Sequence, residues 1–203
     1  NVWIDAGVFS SHIGFESAVS KDCWTLTRSI LADNSPYFES GAKLTYTSDN
    51  NKWLVSGLVL NGWQRIKRVD ANSLMSYGTQ LQYKPNSNIT LNYSTFIGTD
   101  KPDSARLWRY FHNVYGVINV TGKFGITAGF DIGSEQKTKG SNDFNAWYSP
   151  VLILKYAVTT KLAIAARGEY YDDKYGVIIA SGTPNGFKTA GYSVNIDYAP
   201  IPN

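Results

Sequence analysis

The chain has 203 residues, 17% of them charged, and a net charge of +3 with no run of like charges. That balance offers no basic stripe for nucleic acid. The single cysteine, Cys23, excludes an intrachain disulfide framework, and no apolar run reaches the ~18 residues that a membrane helix needs.

Period-2 alternation organises almost everything else. In KFGITAGFDIG, Phe124, Ile126, Ala128, Phe130 and Ile132 share one face of an extended strand, and Gly125, Thr127, Gly129 and Asp131 share the other. Strands are expected in chain order at 1–9, 40–48, 52–63, 73–84, 88–98, 107–121, 123–133, 146–157, 160–171 and 187–199. The connections alternate in length. SDNN at 48–51, PNSN at 85–88, the residues around Gly122, and Thr159–Thr160 carry tight-turn chemistry. Segments 10–39, 64–72, 99–106, 134–145 and 172–186 are longer. Strict alternation puts all short turns at one end and all long loops at the other, as in outer-membrane barrels. About ten tilted residues also match the thickness of a bilayer. The expected fold is therefore all-β: an antiparallel, up-and-down transmembrane β-barrel of about ten strands, forming one domain over 1–203. Aromatic residues make up 14% of the chain, and Tyr alone has 14 copies, which suits a membrane interface. Asn1 is not a start methionine, so a processed or trimmed form is expected.

The first third of the chain carries a more specific signal. Gly7 and Phe9 are followed by Gly14, Phe15 and Glu16, then by Ser40, Gly41, Leu44 and Tyr46, and by Leu60, Asn61, Gly62 and Trp63. This order resembles the OmpL-like β-barrel porin family of Gram-negative bacteria, in which a strand of GxF type leads into an xxGFE loop, a TGxxLxY strand and a strand ending VxNGW. The resemblance implies a passive solute channel in the bacterial outer membrane. It also implies more strands than this chain supplies, so the chain is expected to be a piece of a larger barrel.

With the apolar face of each strand set against lipid, Val2, Ile4, Leu44, Tyr46, Ile89, Leu91, Phe124, Ile126, Phe130, Leu162, Ile164, Tyr192, Val194 and Ile196 point outward, with Ile164 taken as mid-strand. Parity then makes Asp5, Lys43, Gln80, Gln82, Arg109, Asn119, Asp131, Lys155, Arg167, Glu169, Asn195 and Asp197 the pore-lining candidates. These mix both signs, so strong ion selectivity is not expected. Strand 52–63 is apolar on both faces, and 146–157 is similar. Segment 10–39 carries Ile13, Phe15, Trp24, Leu26, Ile30 and Leu31. It is accordingly expected to fold into the lumen against 52–63, facing Asp5, Lys43 and Arg109.

No catalytic or metal site emerges. His12 and His112 are the two histidines, and neither falls in metal-ligand spacing with Cys23. No GxSxG elbow, phosphate loop or HExxH is present. No cofactor is expected, and the partners are outer-membrane lipid and small hydrophilic solutes. The alternative is a plugged structural or binding barrel whose external loops dock a partner. A third reading, a soluble lipocalin-like binder, would turn the apolar face inward.

Overall fold

Each of the ten alternating runs forms a strand in the computed structural model, which describes residues 1–200. The strands are β1 (Val2–Ser10), β2 (Phe38–Thr47), β3 (Trp53–Leu60), β4 (Ser76–Asn86) and β5 (Ile89–Gly98), then β6 (Arg109–Asn119), β7 (Phe124–Gln136), β8 (Phe144–Ala157), β9 (Leu162–Asp173) and β10 (Phe187–Tyr198). They make one antiparallel meander in which every neighbour in sequence is a neighbour in space. The sheet is open: β1 and β10 are its edges and do not pair with each other. An open edge fits the expectation of a piece of a larger barrel.

Local chemistry explains the tight turns. At Thr121 the backbone N–H bonds Phe124 O (3.1 Å), and the hydroxyl accepts from Lys123 N (3.2 Å) and Phe124 N (3.0 Å). Thr159 repeats this with Leu162 O (3.1 Å), Lys161 N (3.1 Å) and Leu162 N (3.0 Å). VTGKF and VTTKL are thus one turn used twice, which the strand rhythm alone did not reveal. In a meander these turns share an end with 48–52 and 87–88, and the long connections share the other.

Polarity is inverted relative to a water-soluble protein. Ser94, Asn113, Ser149 and Asp173 are fully buried, whereas Val2, Ile4, Leu44, Val194 and Ile196 are each more than half exposed. Phe124, Ile126 and Leu162 share the outward parity and are partly exposed. The apolar faces therefore do not line an interior, and the soluble-binder reading is corrected. The two-sided strands resolve the same way. In β8, Leu152 and Leu154 are exposed while Val151 and Ile153 pack under Leu31, Phe15 and Trp24. A second inner cluster near the long-loop end joins Leu58, Leu60, Phe96, Phe111, Trp147 and Tyr171.

Leu152, 46% exposed and central in β8, tests the outward assignment. Leu152→Arg should lower stability in lipid vesicles by about 2–4 kcal/mol, read from denaturant refolding. Ile164 proves to be the third residue of β9, close to a turn, so Ile164→Arg should cost less. Equal, negligible losses at both positions would place this face away from hydrocarbon.

Candidate functional site

Residues 11–37 leave β1 and return to β2, and between them they fold back over the inner face of the sheet. His12 Nε2 lies 2.9 Å from Thr95 O, and Ser94 Oγ donates to His12 O (2.7 Å). Gly14 N donates to Asn113 Oδ1 (3.2 Å). The rings of this segment sit on glycines of the wall. A Cβ on Gly125 would lie 2.5 Å from Trp24, and one on Gly129 2.7 Å from Phe15. Those small residues are therefore seats for aromatic rings rather than wetted positions.

The far end of the segment is held by Arg167. Its guanidinium donates to Thr25 Oγ1 (3.1 Å), Thr27 Oγ1 (3.0 Å) and Thr27 O, and its Nε lies 2.9 Å from Glu169 Oε1. Glu169 Oε2 accepts from Ile30 N (2.7 Å), and Asn195 Oδ1 from Leu26 N (3.1 Å). Ile30 opens a short helix, α1 (Ile30–Asp33), whose N-cap Ser29 accepts from Ala32 N (3.3 Å). Glu16 in turn accepts from Ser29 N (2.9 Å) and the Ser29 hydroxyl. Every hydrogen bond from 11–37 to an inner strand face falls on β5, β6, β9 or β10 among the described residues. Of the expected contact with the strand at 52–63, only Ile13 beside Leu58 and Leu60 is present.

The twelve candidate residues fall into separate groups. Arg167, Glu169 and Asn195 hold the segment directly, and the Lys155 ammonium stands 5.9 Å from the Trp24 ring centroid. Asp5 and Lys43 form their own ion pair (3.1 Å) on β1 and β2. Gln80 bonds Asn92 (2.9 Å), and Gln82 reaches the Tyr115 hydroxyl (3.5 Å). Asp131 accepts from Asn113 Nδ2 (2.6 Å). Arg109 is engaged with Glu135 (2.6 Å) and Asp100 (3.5 Å) beneath the long loops, away from the segment. Asn119 and Asp197 are exposed near the short-turn end. Sequence reasoning missed Thr25 and Thr27, which stand out by neither period nor motif, and gave no role to Glu16 of the xxGFE match or to Asn113, which shares the inward parity of β6. It also missed Glu39, fully buried with neither carboxylate oxygen hydrogen-bonded.

Burial sets the protonation of the segment. It lowers His12 to about 4, opposed by the Thr95 carbonyl and assisted by the Lys43 charge. The ring is therefore neutral and donates from Nε2 to Thr95. Burial also raises Glu16, against its bonds from Ser29. A cavity of about 420 Å³ opens within the fold of the segment, closed by Ser10 at the end of β1 and by Tyr115 of β6.

A family model described as "Putative beta-barrel porin-2, OmpL-like" matches residues 1–203. Among solved structures, one titled "NanC porin structure in rhombohedral crystal form" is similar at 14% identity, with a TM-score of 0.48, covering 80% of this chain and 78% of that one. No curated protein matches the chain.

Two outcomes follow from the clasp. Arg167→Met leaves the Glu169 carboxylate buried and unpaired, a loss of about 3–5 kcal/mol. The segment should then be released and cut rapidly by trypsin at Lys21 and Arg28. Unchanged cleavage would relieve Arg167 of this role. Acid should act in the same direction. Released His12 binds its proton near the ordinary imidazole value of 6.5 and docked His12 at about 4, so docking weakens as pH falls through that window, by about 3 kcal/mol in total. Below it the dependence flattens. Amide exchange of 11–37 between pH 7 and pH 4 should show the loss, and His12→Gln should remove the slope.

Proposed function

The chain belongs to the "Putative beta-barrel porin-2, OmpL-like" family of outer-membrane porins, and on that premise we propose that it passes small hydrophilic solutes down their gradients. The observation that carries the proposal is the asymmetric seating of residues 11–37. The segment makes its hydrogen bonds on β5, β6, β9 and β10 and packs on β7 and β8 through Phe15, Trp24 and Leu31, while it meets β3 and β4 at one end, through Ile13 beside Leu58 and Leu60 and His12 over Gly78. Beyond those contacts the inner wall of β1 to β4 presents Asp5, Lys43, Gln80 and Gln82, with Thr45 and Ser56 buried and bonded to each other (3.0 Å).

Such a wall suits passive flow. Hydroxyls and amides replace part of a solute's hydration without binding it tightly, and one carboxylate opposite one ammonium leaves little net field. Selectivity then comes from the width left beside the segment and from Lys43 and Asp5 as its charges. Of the remaining candidates, Arg167, Glu169, Asn195 and Lys155 face the segment and Arg109 and Asp131 brace the wall, while Asn119 and Asp197 are exposed near the short turns. No cofactor and no bond-making step enter this reading.

The inner cluster of Leu58, Leu60, Phe96, Phe111 and Trp147, with Val177, Ile178 and Ile179 of the last loop packed on it, favours a second reading. Apolar packing across the long-loop end would close the lumen and leave the external loops to dock a partner. Planar-bilayer recording of the full-length protein separates the two. An open channel gives discrete conductance steps, larger once residues 17–33 are deleted, and Lys43→Glu moves its reversal potential towards cation preference. Absence of steps in both the parent and the deletion would support the closed barrel. Steps that ignore the deletion would take the segment out of the permeation path.

A further inference from the structure

The cavity of about 420 Å³ inside the fold of residues 11–37 has a lining of one chemical kind. Its polar side-chain atoms are all oxygens: the hydroxyls of four serines and two tyrosines, and the Glu16 carboxylate. Among the described residues no lysine, arginine or other side-chain nitrogen lines it. The rest is apolar, and the Phe15 and Tyr115 rings, 5.6 Å apart, form one side. The volume falls within the ~300–1,000 Å³ of sites that hold small ligands.

Glu16 lacks its full set of partners. Its Oε2 takes both bonds from Ser29, whereas Oε1 is buried and accepts none. A buried carboxylate oxygen without a donor is costly. The cations close by are engaged elsewhere. Arg167 pairs with Glu169 (2.9 Å), and Arg28 donates to Ser17 O (2.9 Å) and Ala18 O. The Tyr37 hydroxyl donates to Asp33 (2.6 Å), which leaves its oxygen free to accept. Neighbouring cavities give the site an approach. One of about 250 Å³ shares Ser35 and Tyr37 with it and reaches Gln64 and Ile178 of the long connections. Another of about 170 Å³ shares Phe15 and Glu16 and reaches Val117 and Thr127 further along the wall.

We propose that this cavity binds a small solute bearing a primary ammonium group, its N–H groups on Glu16 Oε1 and the neighbouring hydroxyls and its methylenes against Phe15 and Tyr115. An ammonium has three donors and no acceptor, which matches a lining that offers oxygens. Its bond to a carboxylate is charge-assisted, and so stronger than one from a neutral hydroxyl. Burial penalises the charged form of Glu16, and a cation at Oε1 offsets that penalty. An anion would meet the carboxylate with no cation on the lining to hold it. A neutral polyol would satisfy Oε1 but leave the charge unmatched. The site is approached from the long-loop end and is independent of whether the lumen conducts.

The test is isothermal titration calorimetry of the full-length protein in detergent and amine-free buffer, with three solutes of similar length: 4-amino-1-butanol, 1,4-butanediol and 4-hydroxybutyrate. The amino alcohol should bind about tenfold more tightly than the diol, and the hydroxy acid should give no binding heat. Glu16→Gln should bring the amine to the level of the diol. Ala18→Trp, at an exposed position on the lining, should fill the cavity and abolish binding. Trypsin cleavage at Lys21 and Arg28 shows whether each variant keeps the segment seated. If either variant releases it, the other and the order of the three solutes on the parent decide. Equal binding of the three solutes, binding of none, or amine binding that survives Ala18→Trp with the segment seated would overturn the proposal. A barrel that binds the amine yet gives no conductance steps would remove the channel and leave the site standing.

Discussion

A backbone N–H or C=O without a partner in hydrocarbon costs several kcal/mol, and this governs how the chain is built. The nine antiparallel ladders satisfy the main chain of every internal strand, and alternation then sends one set of side chains to lipid. The other set faces the side of the sheet on which residues 11–37 lie. There the requirement passes to the side chains, because a buried polar group without a partner is also expensive. Asn113 with Asp131, Thr45 with Ser56 and Arg109 with Glu135 each meet it by pairing across adjacent strands. Arg167 meets it by drawing in a segment that begins at the opposite edge of the sheet.

Two devices let that segment settle. Glycines on β7 remove the side chains that would collide with Trp24 and Phe15, so the rings pack directly on backbone. Elsewhere glycine is required by the backbone itself. Gly41 has φ 151° and Gly62 φ 145°, and a Cβ on Gly62 would meet Asp100 at 2.5 Å. These belong to the glycines through which the first third of the sequence resembles its family. The resemblance thus marks places where only glycine allows the chain to turn or approach closely.

Strand number, order and facing were legible because a period of two is written locally, residue by residue. The partners of 11–37 were not. Parity says which face a residue occupies but not its height along the strand, so Arg109 and Arg167 looked alike. Arg109 opens β6 beneath the long loops, where Asp100 and Glu135 already occupy it. Arg167 lies midway along β9, level with Thr25 and Thr27. Strand 52–63 was expected to receive the segment because of its surplus leucines. Those leucines pack with Phe96 and Phe111 and receive Ile13, while β8 takes Leu31.

The clasp also bears on the order of assembly. Thr25 and Arg167 are 142 residues apart in sequence, and Leu26 and Asn195 are 169 apart. The far end of the segment, around Thr25 to Ile30, therefore has no clasp until the last two strands are in place. It is synthesised early and docks late, after a large loop-closure entropy has been met by the intervening hairpins. Until then its apolar rings and the glycine seats opposite them are exposed together. The newly inserted wall thus passes through a stage in which its interior is empty and is filled from its own N-terminal side.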